Sequence, residues 1–325
     1  MSQIRTQLSD ERSVLADVVP LRMPYSVQVE VSQVCNIRCN YCIHGLIAQR
    51  DKAMMDVGLF VDLCDRIEEF GGKLKSVNIA GWGEPLVNPR LANMIHHLKK
   101  RNLTESIAVI TNGLLLDPLT SLDLIEAGAN HIRISLQGIT SDAYLKVCGK
   151  KIDFALLVSH IRYLHKHKKD CQIYVKVADV ALEEGEEEKF YDIFDKISDR
   201  MFVEKIRPMF RQNTNDGKMV SKYGGGHSPV ICCPQPFFMM SVTATGDILP
   251  CCSYYDPTRF GKIYNVSMRD VWEGEKMREF RMMLLAGTRK EQNDYPVCKD
   301  CLMPDAVITP GDELDETAEE IRRRL

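Results

Sequence analysis

The sequence predicts an α/β fold, a partial (β/α)6 TIM-like barrel followed by a small C-terminal domain that is rich in cysteine. From residue 26 to about residue 210, short runs rich in Val and Ile alternate with stretches of helical length. Such alternation is typical of right-handed βαβ units with a parallel sheet, and six units make an incomplete barrel. Beyond that point the alternation stops, and six of the twelve cysteines follow.

The predicted elements are bounded by turn and helix-capping residues, as where Pro118 follows Asp117 and Gly128 ends the same helix. The strands are expected at Ser26–Ser32, Lys75–Gly81, Ser106–Asn112, His131–Gln137, Gln172–Val180 and Phe202–Met209. The helices are expected at Val57–Phe70, Pro89–Lys100, Pro118–Ala127, Phe154–Lys166 and Glu187–Ser198. Four regions follow: an N-terminal extension over residues 1–25, the barrel over 26–220, the cysteine-rich domain over 221–310, and a charged helix or tail over 311–325.

The composition narrows the class of protein. The chain has 325 residues, a net charge of -3 and 45% hydrophobic residues, which is ordinary for a globular protein. It lacks the basic excess of a nucleic-acid-binding protein, and no apolar run reaches the ~20 residues that cross a bilayer. We see no secretory signal and expect a cytoplasmic protein with reduced thiols, so twelve cysteines indicate metal or cluster ligation rather than disulfides.

Three cysteines lie within eight residues, shortly after the first predicted strand. Cys35, Cys39 and Cys42 have the spacing C-x3-C-x2-C. A structural zinc site takes four ligands, whereas a [4Fe–4S] cluster on three cysteines keeps one iron open to an outside ligand. In a parallel barrel this position is the mouth, where active sites lie. The spacing favours a catalytic cluster; a zinc knuckle or incidental core cysteines are the alternatives.

The triad resembles the signature of the radical S-adenosylmethionine (SAM) enzymes, in which an aromatic residue precedes the last cysteine, as Tyr41 does here. The resemblance implies that SAM chelates the open iron through its amine and carboxylate. One-electron cleavage of SAM then yields methionine and a 5′-deoxyadenosyl radical, which takes a hydrogen atom from the substrate. It also implies an external electron donor such as flavodoxin or ferredoxin.

A glycine-rich segment after the second strand supports this resemblance. The run Gly81-Trp82-Gly83-Glu84-Pro85 is similar to the family's GGEP segment, with Trp82 in place of the second glycine. We expect the backbone of Gly81 and Gly83 to approach SAM closely and the Glu84 carboxylate to bind its ammonium group.

Two further strand ends resemble SAM-binding positions of the family. Asn112 ends the third strand, and Ser135 and Gln137 end the fourth. The resemblance implies hydrogen bonds from these side chains to the ribose and carboxylate of SAM. Plain turn chemistry is the alternative, since Asn-Gly and Gln-Gly are common in turns.

The C-terminal cysteines form a second set with the spacing C-x12-G-x4-C followed by C-x2-C. This set resembles the SPASM/Twitch extension of radical SAM proteins, which holds auxiliary iron–sulfur clusters. The resemblance implies one fully ligated [4Fe–4S] cluster on Cys233, Cys251, Cys298 and Cys301. A four-cysteine zinc site is the alternative.

Two cysteine doublets leave the choice of ligand open. Cys233 is preferred to Cys232 because it precedes Pro234, as in the family pattern. Cys251 is preferred to Cys252 because of its distance from Gly246.

Side chains that alternate along the strands supply candidates for catalysis. Arg133 and Lys176 are expected to face the barrel interior, where they would orient or deprotonate a substrate hydroxyl or bind the SAM carboxylate. Arg207, on the predicted sixth strand, is a candidate of the same kind. The alternative is pairing with barrel carboxylates such as Glu30. Cys148, expected in the loop after the fourth strand, is a candidate hydrogen-atom donor, with packing as its alternative.

The layout with one auxiliary cluster is similar to the aminocyclitol dehydrogenase branch of the family. That resemblance implies oxidation of a secondary alcohol of a sugar or cyclitol, with the auxiliary cluster accepting an electron. A small polar substrate is favoured over a peptide, because only about 25 residues precede the first strand and peptide-modifying relatives usually carry an extra N-terminal domain. A peptide maturase or epimerase, and a non-catalytic iron–sulfur or zinc scaffold, remain the alternatives.

Overall fold

A computed structural model describes residues 13–46, 52–207, 221–223, 228–253, 258–291 and 293–325. Its first part is a sheet of six parallel strands that are hydrogen-bonded in sequence order. The strands are β1 Ser26–Val29, β2 Ser76–Ile79, β3 Ile107–Thr111, β4 His131–Leu136, β5 Gln172–Ala178 and β6 Arg200–Glu204. The predicted α/β fold with a partial parallel barrel is confirmed.

Helices occupy the connections between these strands, and side-chain caps set several of their starts. Asp56, Asp117, Thr140 and Asp153 each accept a hydrogen bond from a backbone N–H group in the first turn. The helices of this part are α1 Leu15–Val18, α2 Ile43–Leu46, α3 Val57–Glu68, α4 Leu91–Arg101, α5 Pro118–Ala127, α6 Ser141–Cys148, α7 Phe154–His167 and α8 Glu186–Phe194. The predicted bounds of α5 are confirmed at both ends.

Two predicted elements need correction. The sixth strand begins at Arg200 and ends at Glu204, so Arg207 lies beyond the strand, and residues 208 and 209 of the prediction lie outside the described residues. The connection after β4 contains α6, which we predicted as a loop. The sequence contains the start and stop signals of α6, since Thr140 caps its first turn and Gly149, with φ of 66°, follows its last residue.

The barrel strands have one apolar and one polar face. In β4 the buried residues Ile132, Ile134 and Leu136 alternate with half-buried His131, Arg133 and Ser135. The apolar members join the hydrophobic core with the helices. Because successive side chains point to opposite faces of a strand, the polar members line the other face of the sheet, where the predicted site residues of β4 and β5 lie.

The cysteine-rich part continues the barrel sheet. Strand β7 pairs in parallel with β1, and β8 and β9 follow antiparallel, which gives the order β6–β5–β4–β3–β2–β1–β7–β8–β9 within the described residues. The remaining elements are β7 Met239–Val242, β8 Asp247–Leu249, β9 Gly261–Lys262, α9 Met268–Glu273, α10 Glu275–Leu285, α11 Pro296–Asp300, α12 Met303–Val307 and α13 Ala318–Arg324.

The described ends of the chain pack on each other. The indole N–H of Trp272 donates to the carbonyl of Leu21 at 2.9 Å, and Arg324 donates to that of Ala16 at 2.9 Å. Within the region 311–325, where we expected a charged helix or tail, Ala318–Arg324 form α13. Of the helices that the structure describes, none is long and apolar enough to cross a membrane. The division into four regions stays a prediction.

Candidate active site

The cysteine triad lies on the loop between β1 and α2, and the end of α6 holds this loop. The N–H of Asn40 donates to the carbonyl of Val147 at 2.9 Å, and that of Arg38 to the carbonyl of Cys148 at 3.3 Å. Lys150, just beyond α6, donates to the carbonyl of Asn36 at 3.2 Å. The helix missing from our sequence prediction therefore supports the triad.

The thiols of the triad lie close to one another. Burial raises the pKa of the Cys39 thiol, and the charges of Cys42, Cys148 and Cys35 raise it further. Gln137 lies against this group: its side-chain oxygen accepts hydrogen bonds from Cys39 at 3.3 Å and from the Tyr41 hydroxyl. The structure thus brings the predicted residues Tyr41 and Gln137 to the triad.

Cys148 lies elsewhere in the fold than predicted. It is the last residue of α6 rather than part of a loop, and its side chain is buried, with 3% exposure. Its thiol donates to the carbonyl of Tyr144 at 3.0 Å, one helical turn earlier. These surroundings place Cys148 in the packing beneath the triad loop, and its role as a hydrogen-atom donor stays a prediction.

The two glycines of the GWGEP segment pack against the end of β1. A Cβ on Gly83 would lie 2.0 Å from the carbonyl oxygen of Ser32, and one on Gly81 would lie 2.7 Å from Cγ of Glu30. Both positions therefore require glycine for close packing within the protein. This is a different reason from the approach to SAM that we predicted.

The Glu84 carboxylate also faces the protein. Its exposure is 3%, and it accepts hydrogen bonds from the Thr111 hydroxyl at 2.6 Å, from the N–H of Asn112 at 2.7 Å and from the N–H of Leu86 at 3.0 Å. Burial raises its pKa, and these hydrogen bonds oppose the rise. The carboxylate thus joins the ends of β2 and β3, and its pairing with the ammonium group of SAM stays a prediction.

Asn112 contacts the triad loop directly, and Ser135 contacts Gln137, which in turn contacts the triad. The Asn112 amide donates to the side-chain oxygen of Asn36 at 2.6 Å, which orients a residue between the first two cysteines. Ser135 is half-buried beside Lys176 in the sheet register, and its carbonyl accepts from Gln137 at 3.0 Å. Asn36 was missed from the sequence, because its partner is 76 positions away in the chain.

A cluster of three charged side chains lies beside the triad loop. Glu204 at the end of β6 accepts from Lys176 of β5 and from Lys222 at 3.4 Å. Burial opposes ionisation of Glu204, but the charges and hydrogen bonds of the two lysines lower its pKa to about 2. The carboxylate partner of Lys176 is thus Glu204. Glu30, which we named from the sequence as a possible carboxylate partner, instead accepts hydrogen bonds from the backbone N–H groups of Trp82 and Ala244.

This charged cluster reaches both cysteine sets. The charge of Glu204 contributes to the raised pKa of Tyr41, which burial dominates. On the other side, the charges of Tyr223, Glu204 and Cys252 raise the pKa of Lys222 against the effect of burial. Glu204 therefore interacts electrostatically with Tyr41 of the first set, and Lys222 interacts with Cys252 beside the second.

Arg133 lies in the next interior layer of the barrel. Its guanidinium is 5.7 Å from the ring of Tyr174, and burial lowers its pKa. The register places Arg133 opposite Tyr174 and Ser135 opposite Lys176, so the guanidinium lies one layer farther from the strand ends.

The four cysteines predicted for the second set line one cavity. Its wall includes Cys233, Cys251, Cys298 and Cys301 together with Gln235 and Arg289, but neither Cys232 nor Cys252. Cys252 donates through its thiol to the side-chain oxygen of Gln235 at 3.1 Å, and Cys232 is a buried neighbour of Asp315. The cavity wall therefore contains Cys233 and Cys251, the member of each doublet that the sequence favoured.

His131 gives the fold a dependence on pH. Burial lowers its pKa to about 4, and the charges of Arg133 and Arg200 add to this effect. Between about pH 6.5 and pH 4 the unfolded chain binds the extra proton, so stability falls as the pH falls. Between pH 7.5 and pH 5.5 we expect His131 to lower the free energy of unfolding by about 1.4 kcal/mol. The measurement is anaerobic unfolding in urea of the wild type and of His131→Phe at both pH values.

The matched control is His96→Phe, which replaces an exposed histidine of α4. It should keep the pH dependence of the wild type, whereas His131→Phe should reduce it. Equal pH dependence in all three proteins would contradict the assignment to His131.

Family profiles match the two parts of the chain that carry the two cysteine sets. The profile of the Radical SAM superfamily matches residues 29–197, and that of SPASM, an iron–sulfur cluster-binding domain, matches residues 232–302. The tungsten-containing aldehyde ferredoxin oxidoreductase cofactor-modifying protein of Pyrococcus furiosus is 23% identical over 322 residues, 86% of this chain and 87% of that protein. GTP 3′,8-cyclase of Petrotoga mobilis is 30% identical over 138 residues, 42% of this chain and 41% of that protein.

Solved structures share the fold. BtrN in complex with AdoMet and 2-DOIA superposes with a TM-score of 0.58 at 19% identity and covers 86% of this chain and 93% of that chain. Streptococcus suis SuiB bound to S-adenosylmethionine has a TM-score of 0.64 at 16% identity and covers 92% of this chain and 80% of that chain. The cofactors of this protein are SAM and two [4Fe–4S] clusters. Because the superfamily profile matches more than half of the sequence, the chain belongs to the radical SAM superfamily, with a SPASM domain in its C-terminal part.

Proposed function

We propose that Cys35, Cys39 and Cys42 ligate the cluster that binds SAM. The interacting thiols, and the contacts of Tyr41 and Gln137 with them, support this assignment. The second cluster is assigned to the four cysteines of the cavity, namely Cys233, Cys251, Cys298 and Cys301.

The arrangement of the thiols fits polynuclear clusters. In the part of the chain that the structure describes, no three Cys, His, Asp or Glu side chains are placed to share a single metal ion. A [4Fe–4S] cluster binds each cysteine to a different iron, so its ligands surround a volume instead of converging on one point. Thiols around one cavity match that requirement.

The reaction that these residues support best is oxidation of a secondary alcohol, on a sugar or cyclitol, to a ketone. When bound, the first cluster and SAM supply a radical that removes hydrogen from carbon, and the second cluster supplies an acceptor for one electron. The protein itself must accept the hydroxyl proton. The observation that carries the proposal is the Lys176–Glu204–Lys222 cluster, whose charges interact with Tyr41 of the first cysteine set and with Cys252 beside the second.

Lys176 is the residue assigned to orient the hydroxyl and accept its proton. Burial lowers the pKa of Lys176, and although Glu204 opposes that effect, the charges of Lys222 and Arg133 add to it. A buried lysine with a lowered pKa is a suitable general base. Glu204, which its low pKa keeps ionised, orients the Lys176 side chain and stabilises the ammonium that forms when the neutral amine accepts the proton.

Arg133 is assigned a supporting part. A guanidinium stays protonated in proteins and therefore does not serve as the base. Arg133 lies one layer farther inside the barrel than Lys176 and contributes a fixed positive charge. This charge helps to lower the pKa of Lys176.

Alcohol oxidation is tested with a labelled substrate. The anaerobically reconstituted and reduced protein is given SAM and cyclitol or amino-sugar alcohols that carry deuterium at the carbinol carbons. 2-DOIA, the ligand bound to BtrN, is the first probe. We expect deuterium in 5′-deoxyadenosine together with a ketone product in equal amounts. Deuterium transfer without a ketone would favour a redox-neutral reaction instead.

A peptide substrate is the second candidate. SuiB, which shares this fold, has been solved bound to the precursor peptide SuiA, with a TM-score of 0.63 at 16% identity. If no alcohol affects SAM cleavage and a peptide becomes labelled or cross-linked, the alcohol proposal fails. The flavodoxin or ferredoxin donor and the cytoplasmic location stay predictions.

Substitution of Lys176 separates the proton step from SAM cleavage. Lys176→Met should lower ketone formation by at least about 100-fold, the usual contribution of a general base, while SAM cleavage without substrate continues. The product and 5′-deoxyadenosine are measured side by side by mass spectrometry. Lys168→Met, which breaks a lysine–carboxylate pair with Asp199, is the matched control and should keep ketone formation. Unchanged ketone formation in Lys176→Met would remove this residue from the mechanism.

A further inference from the structure

Arg289 lines the cavity of the second cysteine set from within the protein. Its exposure is 2%, and it follows α10 by four residues. The guanidinium donates to four backbone carbonyls: Nη1 to Cys298 at 3.1 Å and Cys301 at 3.0 Å, Nη2 to Val230 at 3.2 Å, and Nε to Ile231 at 3.3 Å.

These hydrogen bonds connect two separate parts of the chain. Cys298 and Cys301 begin and end the C-x2-C segment, and Val230 and Ile231 lie just before Cys233. One planar side chain therefore joins the segment of two cavity cysteines, Cys298 and Cys301, to the segment that leads to a third, Cys233. A lysine, with a single ammonium nitrogen, lacks the geometry to reach the same four carbonyls.

The charge of Arg289 is also buried beside the cavity. Over the ranges that the structure describes, Arg289 forms an ion pair with no carboxylate, and its hydrogen bonds go to carbonyl groups. A buried cation is costly without a compensating charge. Four thiolates around iron and sulfide supply a net negative charge in the same place.

We propose that Arg289 is a positioning residue of the second cluster, which clamps its ligand segments and raises its reduction potential. This rests on the proposed assignment of Cys233, Cys251, Cys298 and Cys301. Net charge and hydrogen bonding near a cluster set its potential. A cation at this place stabilises the reduced cluster, as an electron acceptor requires.

A purely structural arginine in the same domain provides the control. Arg281 is buried and donates to the carbonyls of Pro236 at 3.0 Å and Trp272 at 2.9 Å, with its guanidinium 4.0 Å from the Trp272 ring. It resembles Arg289 in burial and acceptors, but among the described residues it donates to no cysteine carbonyl, and it is not part of the cavity wall.

The test uses the full chain with Cys35, Cys39 and Cys42 replaced by alanine, so that only the second cluster is observed. In this background Arg289→Met, Arg289→Gln, Arg289→Lys and Arg281→Met are compared by iron content, by loss of iron to a chelator, and by redox titration with EPR detection.

We expect the neutral variants Arg289→Met and Arg289→Gln to change the ratio of oxidised to reduced cluster at a fixed potential at least tenfold, a downward shift of 59 mV for one electron. Arg289→Lys should keep the potential but lose iron to the chelator several times faster. Arg281→Met should change neither property. If the neutral variants load no iron while Arg289→Lys does, the need for the charge is supported.

Two results would overturn the proposal. One is a neutral variant with the potential and iron retention of the parent protein, and the other is an equal shift in Arg281→Met. A wrong ligand assignment would give a different result from a wrong role of Arg289. In that case Cys233→Ala would keep the second cluster, with either arginine or a substitute at position 289.

Discussion

Replacing Cys35, Cys39 and Cys42 together by alanine should abolish the formation of 5′-deoxyadenosine from SAM. The three thiols lie on one loop, and burial and mutual charge affect the pKa of the central one, Cys39. Without them, no ligands remain at this place for the cluster that SAM needs. Iron should fall from about eight to about four per chain, since two four-iron clusters become one. Deoxyadenosine is measured by liquid chromatography after anaerobic reduction.

The matched control removes two other buried cysteines. Cys64 lies in α3 and Cys171 directly before β5, and both belong to the hydrophobic core. The variant Cys64→Ala/Cys171→Ala should keep SAM cleavage and about eight irons. Deoxyadenosine formation that survives in the triad variant would refute the assignment of the first cluster.

Within each cysteine doublet, only one substitution should remove the second cluster. Cys233→Ala or Cys251→Ala should lower iron to about four per chain and stop ketone formation, because each takes a thiol from the wall of the cavity. SAM cleavage by the first cluster should continue, since its ligands are untouched. Iron analysis and EPR of the reduced protein measure the loss.

The neighbouring cysteines provide controls that differ by a single position. Cys232→Ala and Cys252→Ala should keep both clusters, because these side chains lie outside the cavity wall. Cys252→Ala removes a hydrogen bond to Gln235 and tests whether that contact matters to the second cluster. Loss of iron in Cys232→Ala with full iron in Cys233→Ala would reverse the assignment within that doublet.

Much of the fold followed from patterns that lie close together in the sequence. All six barrel strands were predicted within a few residues, and Pro118–Ala127 was predicted at both ends, because Val- and Ile-rich runs and capping residues act locally. The strand predictions ran too far where the chain continues into Gly81, Asn112 or Gln137, whose polar or flexible character belongs to loops. Helix α6 was missed although Thr140 and Gly149 mark its ends.

The candidate site was predictable only in part. Spacing selected the two cysteine sets, and the family pattern together with spacing selected the preferred member of each doublet. The structure brings Tyr41 and Gln137 to the first set. The structure gives Glu84 and Cys148 other surroundings than expected, since both side chains turn into the protein.

The sequence by itself determined the alternation of strands and helices and the family, and it selected the cysteines that we propose as cluster ligands. Each of these depends on residues a few positions apart, because the backbone geometry of helices and strands places such residues next to each other. Only the tertiary structure decided that Glu204 joins Lys176 to Lys222, that Arg289 donates to carbonyls of two separate segments, and that β7 extends the barrel beside β1. Those contacts join distant parts of the chain, and packing of the whole core brings them together.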